Sequence, residues 1–196
     1  MELEFFKIEA LQSGIKRLLA ARPFVCVAID GRCAAGKTTL AARLSTLYGS
    51  AVIHMDHFFL PQTLRTKSRL ATPAGNVHYE RFLVEAAPSL AKGEPFNYRI
   101  FDCMVMKYTG IAKVPRSKLY IVEGAYCMRP ELRDLYHLKV FMDISKEEQK
   151  RRIKQRNGED ALHDFLSKWL PMEEAYFAAY DVAGYCDFYL SPTQRV

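Results

Sequence analysis

No apolar run in this 196-residue chain approaches the roughly 20 residues that span a bilayer. The first ten residues, MELEFFKIEA, lack the basic-then-apolar order of a secretory signal. Cysteine is sparse. The five, Cys26, Cys33, Cys103, Cys127 and Cys186, are odd in number and form no C-x-x-C pair. A disulfide framework is thereby excluded, and reduced thiols are expected. A zinc site is disfavoured too, because no Cys or His cluster accompanies the closest histidine pair, His54 and His57. Internal repeats and low-complexity stretches are missing, which removes solenoids and disordered linkers. The chain has no N-K-x-D segment of the kind that reads guanine in switch proteins, and its one D-x-x-G match, at 181–184, comes far too late. These absences lead to the expectation of a soluble, cytoplasmic protein with no membrane segment.

What remains is an ordinary globular composition. Hydrophobic residues make up 49% of the chain, enough for one domain with a real core, so residues 1–196 are expected to form a single unit. The formal charge of +6 suits nucleic acid, an anionic small substrate, or a merely solvated basic surface. The densest basic cluster is KRRIKQR, residues 150–156.

Apolar residues at helical spacing (Phe6, Leu11, Ile15, Leu18, Leu19) predict a helix over 3–20, ended by Pro23. FVCVAID, AVIHM, KLYIVEG, LKVFMDI and CDFYL read as short strands, and the first, third and fourth are nearly continuous apolar runs typical of buried parallel strands. A helix is predicted over 36–48, another over 77–93 with Pro88 disturbing it late, and a short one over 130–136. A long helix with one proline, Pro171, is predicted over 160–181. Residues 56–76, polar and broken by prolines, read as loop. FNYRIFDC and MVMKYTGIAKV alternate like a hairpin outside the main sheet. Ser145 and Glu148 match a capping box that opens the basic helix. Strands alternating with helices imply an α/β fold, a parallel sheet covered on both faces.

Four features carry chemistry. The first is Gly31-x-x-x-x-Gly36-Lys37-Thr38, which follows a strand and opens a helix. Its glycines let backbone N–H groups converge on phosphate oxygens, and the helix adds its positive end. The loop Gly31, Arg32, Cys33, Ala34, Ala35, Gly36, Lys37, Thr38 and Thr39 is therefore expected to hold a nucleoside triphosphate, with Lys37 on the β- and γ-phosphates and Thr38 on Mg²⁺. Cys33 stands inside this cradle, where oxidation of its thiol would block the nucleotide. The second feature is Asp56, just past a strand end, where ligands of open α/β sheets bind. A carboxylate there suits proton abstraction, metal binding or plain capping. The third is Glu123, which ends a buried strand where a metal-orienting carboxylate belongs; Asp143 competes, but runs straight into the capping box. The fourth is the basic helix, whose Arg151, Arg152 and Arg156 are spaced so that two can face one side, either as an ordinary exposed face or over a γ-phosphate.

The segments DGRCAAGKTTLA, VIHMDHFF, NVHYERF, YRIFDC, IVEGAY and VFMDISKEEQKRRIKQRNG, spread over residues 24–158, resemble the uridine kinase branch of the P-loop small-molecule kinases, a group that includes pantothenate kinase and phosphoribulokinase. The resemblance implies a three-layer fold with a five-stranded parallel sheet, an arginine-bearing lid near 145–160 and an acceptor-side insertion near 56–116. It implies an ATP- and Mg²⁺-dependent kinase acting on a hydroxyl of a small molecule, such as the nucleoside uridine. By that resemblance Asp56 is the general base, Glu123 arranges Mg²⁺, and Arg152 and Arg156 are the lid arginines. Acceptor contacts would come from Tyr79, Arg81, Tyr98 and Asp102, beside Asp56 and Glu123. The chain departs from uridine kinases at Cys33, Ala34 and Ala35, where serines are usual, and at His57, where many relatives carry an acid. Its hairpin lacks the His and Arg cluster found around the pyrimidine. A vitamin or sugar kinase remains open, as does a homo-oligomer. A nucleic-acid end kinase is disfavoured, because a lid already accounts for the basic cluster.

Overall fold

The computed structural model describes residues 2–191, with side chains from residue 8 onward. The inward placement expected for Phe6 lies outside the described side chains. Helix α1 (Glu2–Ala21) leads into strand β1 (Val25–Gly31), which is buried at every position. Helix α2 (Lys37–Tyr48) and strand β2 (Ala51–His54) follow. Between β2 and the next core strand lie three short helices, α3 (Lys67–Leu70), α4 (Tyr79–Glu85) and α5 (Ala87–Leu90), and the hairpin β3 (Phe96–Asp102) and β4 (Lys107–Val114). The chain then returns through β5 (Leu119–Glu123) and β6 (Leu138–Met142). Helices α6 (Lys146–Asn157), α7 (Glu159–Asp164) and α8 (Leu170–Tyr180) precede the last strand, β7 (Phe188–Leu190).

The main sheet has the order β2-β5-β1-β6-β7, with every pairing parallel. Its central strands are apolar on both faces because helices cover both. On one face Leu11 and Ile15 of α1 and Leu40 and Leu44 of α2 pack on Val27, Ile29 and Val140. On the other, Phe82 of α4, Leu90 of α5 and Tyr176 of α8 pack on Cys26, Ala28 and Val122. Alternate residues of β1 thus serve opposite cores, the period-two consequence of the pleat. The β3–β4 hairpin stands apart as a two-stranded antiparallel sheet. Among the described residues no helix is long and apolar enough to cross a membrane.

Several local expectations are corrected. Residues 56–76 are not plain loop. Met55–Phe58 and Gln62–Leu64 form 3₁₀ turns, and Thr66 opens α3 by accepting the Arg69 amide at 3.1 Å. The turn beginning at Met55 ends β2 one residue early. The short helix expected at 130–136 is present as a 3₁₀ helix, Pro130–Leu135. The capping box at α6 is half made. Ser145 Oγ accepts the Glu148 amide at 3.2 Å, but the Glu148 carboxylate goes to Arg151 and Arg152. The long C-terminal helix passes through one π turn, Phe165–Trp169, in which the Leu170 amide reaches back to Phe165. Pro171 falls two residues beyond Trp169, where the missing N–H needs a broken ladder.

Helix α8 braces the loop after β1 from behind. Buried Asp30 accepts from Gly31 N at 2.7 Å, Met128 N at 2.8 Å and Tyr176 Oη at 2.7 Å. Glu173, 3% exposed, accepts the Cys33 amide at 2.7 Å and the Gln149 side-chain amide at 3.2 Å. Burial pushes the Glu173 carboxyl from 4.5 up to about 7; Lys37 and the Cys33 amide oppose the rise, and Asp30 adds to it. The native chain therefore holds a proton that the unfolded chain has released, and this contribution to stability is lost as pH rises from about 4.5 through about 7. Glu173→Gln keeps an oxygen for the Cys33 amide and removes the titration. The melting temperature of the wild type relative to Glu173→Gln should fall steadily across that window, and a difference independent of pH would refute the assignment.

Candidate active site

Gly31 has φ of +129°, and a Cβ there would lie 2.0 Å from Met142 O. Only glycine lets the chain turn this closely against β6, where Arg32 N donates to Met142 O at 2.9 Å. Arg32 turns outward, its side chain bonded to Asp143 at 2.6 Å and to Glu174 and lying over Phe177. The Cys33 amide is committed to Glu173 and its carbonyl to Gln149, at 3.1 Å, so of the predicted cradle these two residues shape the loop from outside. Burial and Glu173 also push the Cys33 thiol above its ordinary value, which keeps it protonated and works against the oxidation expected there.

The remainder of the loop faces the cleft. Gly36, at φ +96°, opens α2 without a side-chain cap, leaving the helix amides for an anion. Lys37 folds back across the loop and donates to Gly31 O at 2.6 Å and Arg32 O at 2.9 Å. Beside the loop, a cleft of about 260 Å³ is lined by Ala35, Thr39, Leu40, Met142, Arg152 and Leu190, among others. A largely apolar slot of this kind next to a phosphate cradle suits a nucleobase.

Strand register builds the floor. His54 is paired in register with Glu123, both at strand ends. The buried Glu123 carboxylate, 4% exposed, accepts from Thr38 Oγ1 at 3.2 Å and meets His54 Nδ1 at 2.6 Å. That bond is the main force raising His54 above the usual histidine value. Asp56 lies one residue into the turn after β2. Gly124, at φ +133°, allows this turn to sit against β5, since a Cβ there would come within 2.9 Å of Met55 Cβ and 3.4 Å of Asp56 Oδ1. Asp56 is exposed to solvent, although protein crowds its carboxyl. Desolvation raises it above the ordinary aspartate value; Glu123 adds to the rise, while Lys37, His54 and Arg156 pull against it. His57 stacks edgewise on His54 at 5.3 Å and bonds Tyr98 Oη at 3.1 Å. Burial, with the positive charges of His54 and Arg81, holds His57 below the usual value.

Two arginines of α6 close over the loop. Arg152 donates to Ala34 O at 3.2 Å and to Glu148 at 2.8 Å, and Arg156 reaches Cys33 Sγ at 3.6 Å. Arg151 points away, exposed and paired with Glu148. The four predicted acceptor residues occupy different settings. Tyr98 is buried beneath His57, with its phenol pushed up to about 12 by burial. Tyr79 is clasped between the guanidinium groups of Arg69 and Arg129, at 5.1 and 4.0 Å. Asp102 accepts the Met104 amide at 2.8 Å and closes the hairpin turn. Arg81 is turned inward, donating to Glu85 at 3.0 Å, Arg99 O at 2.7 Å and His57 O, with its plane over Phe58. Its guanidinium holds the Asp56–His57 turn to the hairpin and is not presented to the cleft.

Glu173, Gln149 and His54 were not singled out from the sequence as site residues. The first two act on the loop from more than a hundred positions away, and nothing local marks them. His54 did carry a signal, a polar residue at the end of a buried strand, the same signal that marked Glu123.

Asp56, Glu123, Thr38 and Lys37 therefore meet at the carboxyl ends of β1, β2 and β5, with Arg152 and Arg156 opposite. The arrangement has relatives. No family model matches the chain. It is 27% identical over 159 residues to a uridine kinase of Chlamydia pneumoniae, spanning 74% of this chain and 71% of that protein. A candidate uridine kinase from Bacillus stearothermophilus has the same fold, with a TM-score of 0.67 at 17% identity, covering 92% of this chain and 99% of that one. A candidate fructose transport system kinase from Silicibacter sp. TM1040 matches with a TM-score of 0.69 at 23% identity, over 91% and 95% of the two chains. YFH7 of Saccharomyces cerevisiae, a candidate P-loop kinase, matches with a TM-score of 0.71 at 12% identity, over 95% and 99%. In fold and sequence the chain is similar to the uridine kinase-like branch of the P-loop kinases.

Proposed function

We propose that the protein is an ATP-dependent kinase that transfers the γ-phosphoryl group to a hydroxyl of a small molecule. The observation that carries this reading is the meeting of a phosphate loop with a carboxylate pair: Thr38 bonded to Glu123, and Asp56 beside them within electrostatic reach of Lys37 and Arg156. A switch protein has no use for a carboxylate on the far side of the γ-phosphate, whereas phosphoryl transfer to an alcohol needs one there.

The donor set fits ATP and Mg²⁺. Uncapped α2 amides, Lys37 and the lid arginines supply donors and positive charge, and an apolar slot adjoins them. Thr38 and Glu123 offer the one or two protein oxygens that Mg²⁺ takes beside phosphates, and the ion would supply neutralisation of phosphate charge there. Lys37 leaves the carbonyls of Gly31 and Arg32 to meet the phosphates. Asp56 accepts the acceptor hydroxyl proton. Arg152 and Arg156 face the charge that develops on the phosphoryl oxygens. His54 keeps Glu123 oriented, and Arg81 keeps the turn bearing Asp56 in place. Tyr79, Tyr98 and Asp102 frame the acceptor side. The similarity to a uridine kinase makes nucleosides one class for an acceptor screen.

Asp56→Asn should lower turnover by about 10²–10⁴-fold while leaving nucleotide affinity within a few fold, measured by nucleotide titration and steady-state kinetics. Wild-type turnover in that variant would refute Asp56 as base. Because Asp56 works as the carboxylate and its value is raised, kcat/KM should rise with pH along an acid limb lying above the ordinary aspartate value of about 3.9. An acid limb at or below that value would contradict the desolvated position.

A further inference from the structure

Helix α1 is seated on the sheet by one apolar stripe. Leu11 and Ile15 of that stripe are wholly buried, in the same core as Val140 and Leu190. Gly14 stands beside them over the first residues of β6 and β7, where a Cβ would come within 3.4 Å of Leu138 Cδ1 and of Phe188 Cζ. Ile8 falls on the same stripe, three residues before Leu11 and seven before Ile15. Yet Ile8 is only partly buried. Its height on the sheet accounts for the difference. Ile8 lies roughly two helical turns beyond Gly14, towards the carboxyl ends of β6 and β7, where the sheet stops.

At that height Ile8 meets the slot of about 260 Å³ beside the phosphate loop. It lines the slot together with Met142 and Leu190, the last residues of β6 and β7, with Leu40 of α2 and with Arg152 of α6. Apart from Arg152 these side chains are apolar, and Ile8 is the share that α1 contributes. An apolar wall gains most when a flat, weakly hydrated group covers it. A nucleobase is such a group and a chain of phosphates is not. Helix α2 serves both parts of the site, its uncapped amides towards the loop and Leu40 towards the slot. Tyr48 of α2 also donates to Gln12 O of α1 at 3.4 Å, so the two helices that wall the slot are joined away from it.

We propose that helix α1 is part of the donor site: Ile8 packs against the nucleobase, so that nucleotide binding and the seating of this end of α1 stabilise each other. The inference rests on the kinase reading above and names how the same site recognises the base of its donor. The loop holds phosphates through amides and charge, whereas Ile8 meets the base alone. By linkage, a nucleotide that presses on Ile8 tightens α1 against β6 and β7. Inorganic tripolyphosphate, which fills only the loop, has no such effect.

The test uses the full chain with Mg²⁺ and no acceptor, and compares ATP with inorganic tripolyphosphate by titration calorimetry. The wild type should bind ATP the more tightly of the two. Ile8→Ala trims the wall and should weaken ATP by about 3- to 10-fold while leaving tripolyphosphate within about twofold. Ile8→Leu keeps the volume and should restore most of the loss. In hydrogen exchange on the wild type, ATP should slow the amides of residues 8–12 and tripolyphosphate should not. Equal weakening of both ligands by Ile8→Ala, no weakening of either, or exchange that responds alike to the two ligands would overturn the proposal while the kinase reading stands. A wild type that binds neither ligand would overturn the kinase reading and this inference with it. Should melting temperatures show that Ile8→Ala loosens the whole fold, Ile8→Leu and the wild-type exchange comparison decide the matter.

Discussion

A carboxylate with no access to water holds the molecule together at its working end. Asp30 lies at the last step of β1, at zero exposure, and burial raises it above the usual aspartate value. A buried carboxyl of this kind is tolerable only where its oxygens are met. Three donors meet them, and they come from three places: the root of the phosphate loop, the segment after β5, and α8. Any compact state that satisfies Asp30 must therefore bring α8 behind the loop. Once α8 is there, the neighbouring residues Glu173 and Glu174 are placed to take the Cys33 amide and the Arg32 side chain. The outer half of the loop is thereby fixed by α8, and the inner half is left with its amides turned to the cleft. The loop is shaped in advance by bonds that no nucleotide has to make, the condition under which fixed dipoles act on phosphates without reorganising.

The acceptor half is held by separate means. Arg81 gathers His57 O, Arg99 O and Glu85 around one guanidinium. It thus binds the turn that carries Asp56 to the hairpin, in a site where Phe58 stacks on Tyr98 and Tyr98 bonds His57. Glu85 is shared by Arg81 and Arg99, so one of the two positive charges is left uncompensated. The turn bearing the proposed base is thus tied to the hairpin, and the phosphate loop to α8. Both are referenced to the end of β5, where Glu123 touches Thr38 on one side and His54 on the other.

Much of this was legible along the chain. Gly31, Gly36 and Lys37 announced the loop because a strand precedes them and a helix follows. Asp56 and Glu123 were marked as polar residues ending apolar runs, and parallel strands put such ends together by construction. The helix spacing said only that two of Arg151, Arg152 and Arg156 can share a side, and the resemblance pointed to Arg152 and Arg156; these two face the loop and Arg151 does not. What stayed hidden depends on contacts between distant residues. Glu173 looks like any acidic residue on a helix, and its bond to Cys33 crosses 140 positions. Arg81 was an expected acceptor contact only through the resemblance of its segment; a buried arginine and a binding arginine look alike in sequence, and its partners distinguish them. The π turn escaped notice because Pro171 alone does not say whether a helix kinks, stops or widens.

Helix α6 presents the last constraint. Glu148 opens α6 and binds both Arg151 and Arg152, and the pairing holds its carboxyl down at about 2. Arg152 also rests on Ala34 O, and Gln149 on Cys33 O, so the first turns of α6 touch the loop. A γ-phosphate arriving under α6 would offer Arg152 a stronger acceptor than a backbone carbonyl, and Glu148 could keep Arg151 when Arg152 departs. The exchange needs a side-chain rotation and no opening of the helix. Gln149 and Glu173 join α6, the loop and α8 beforehand.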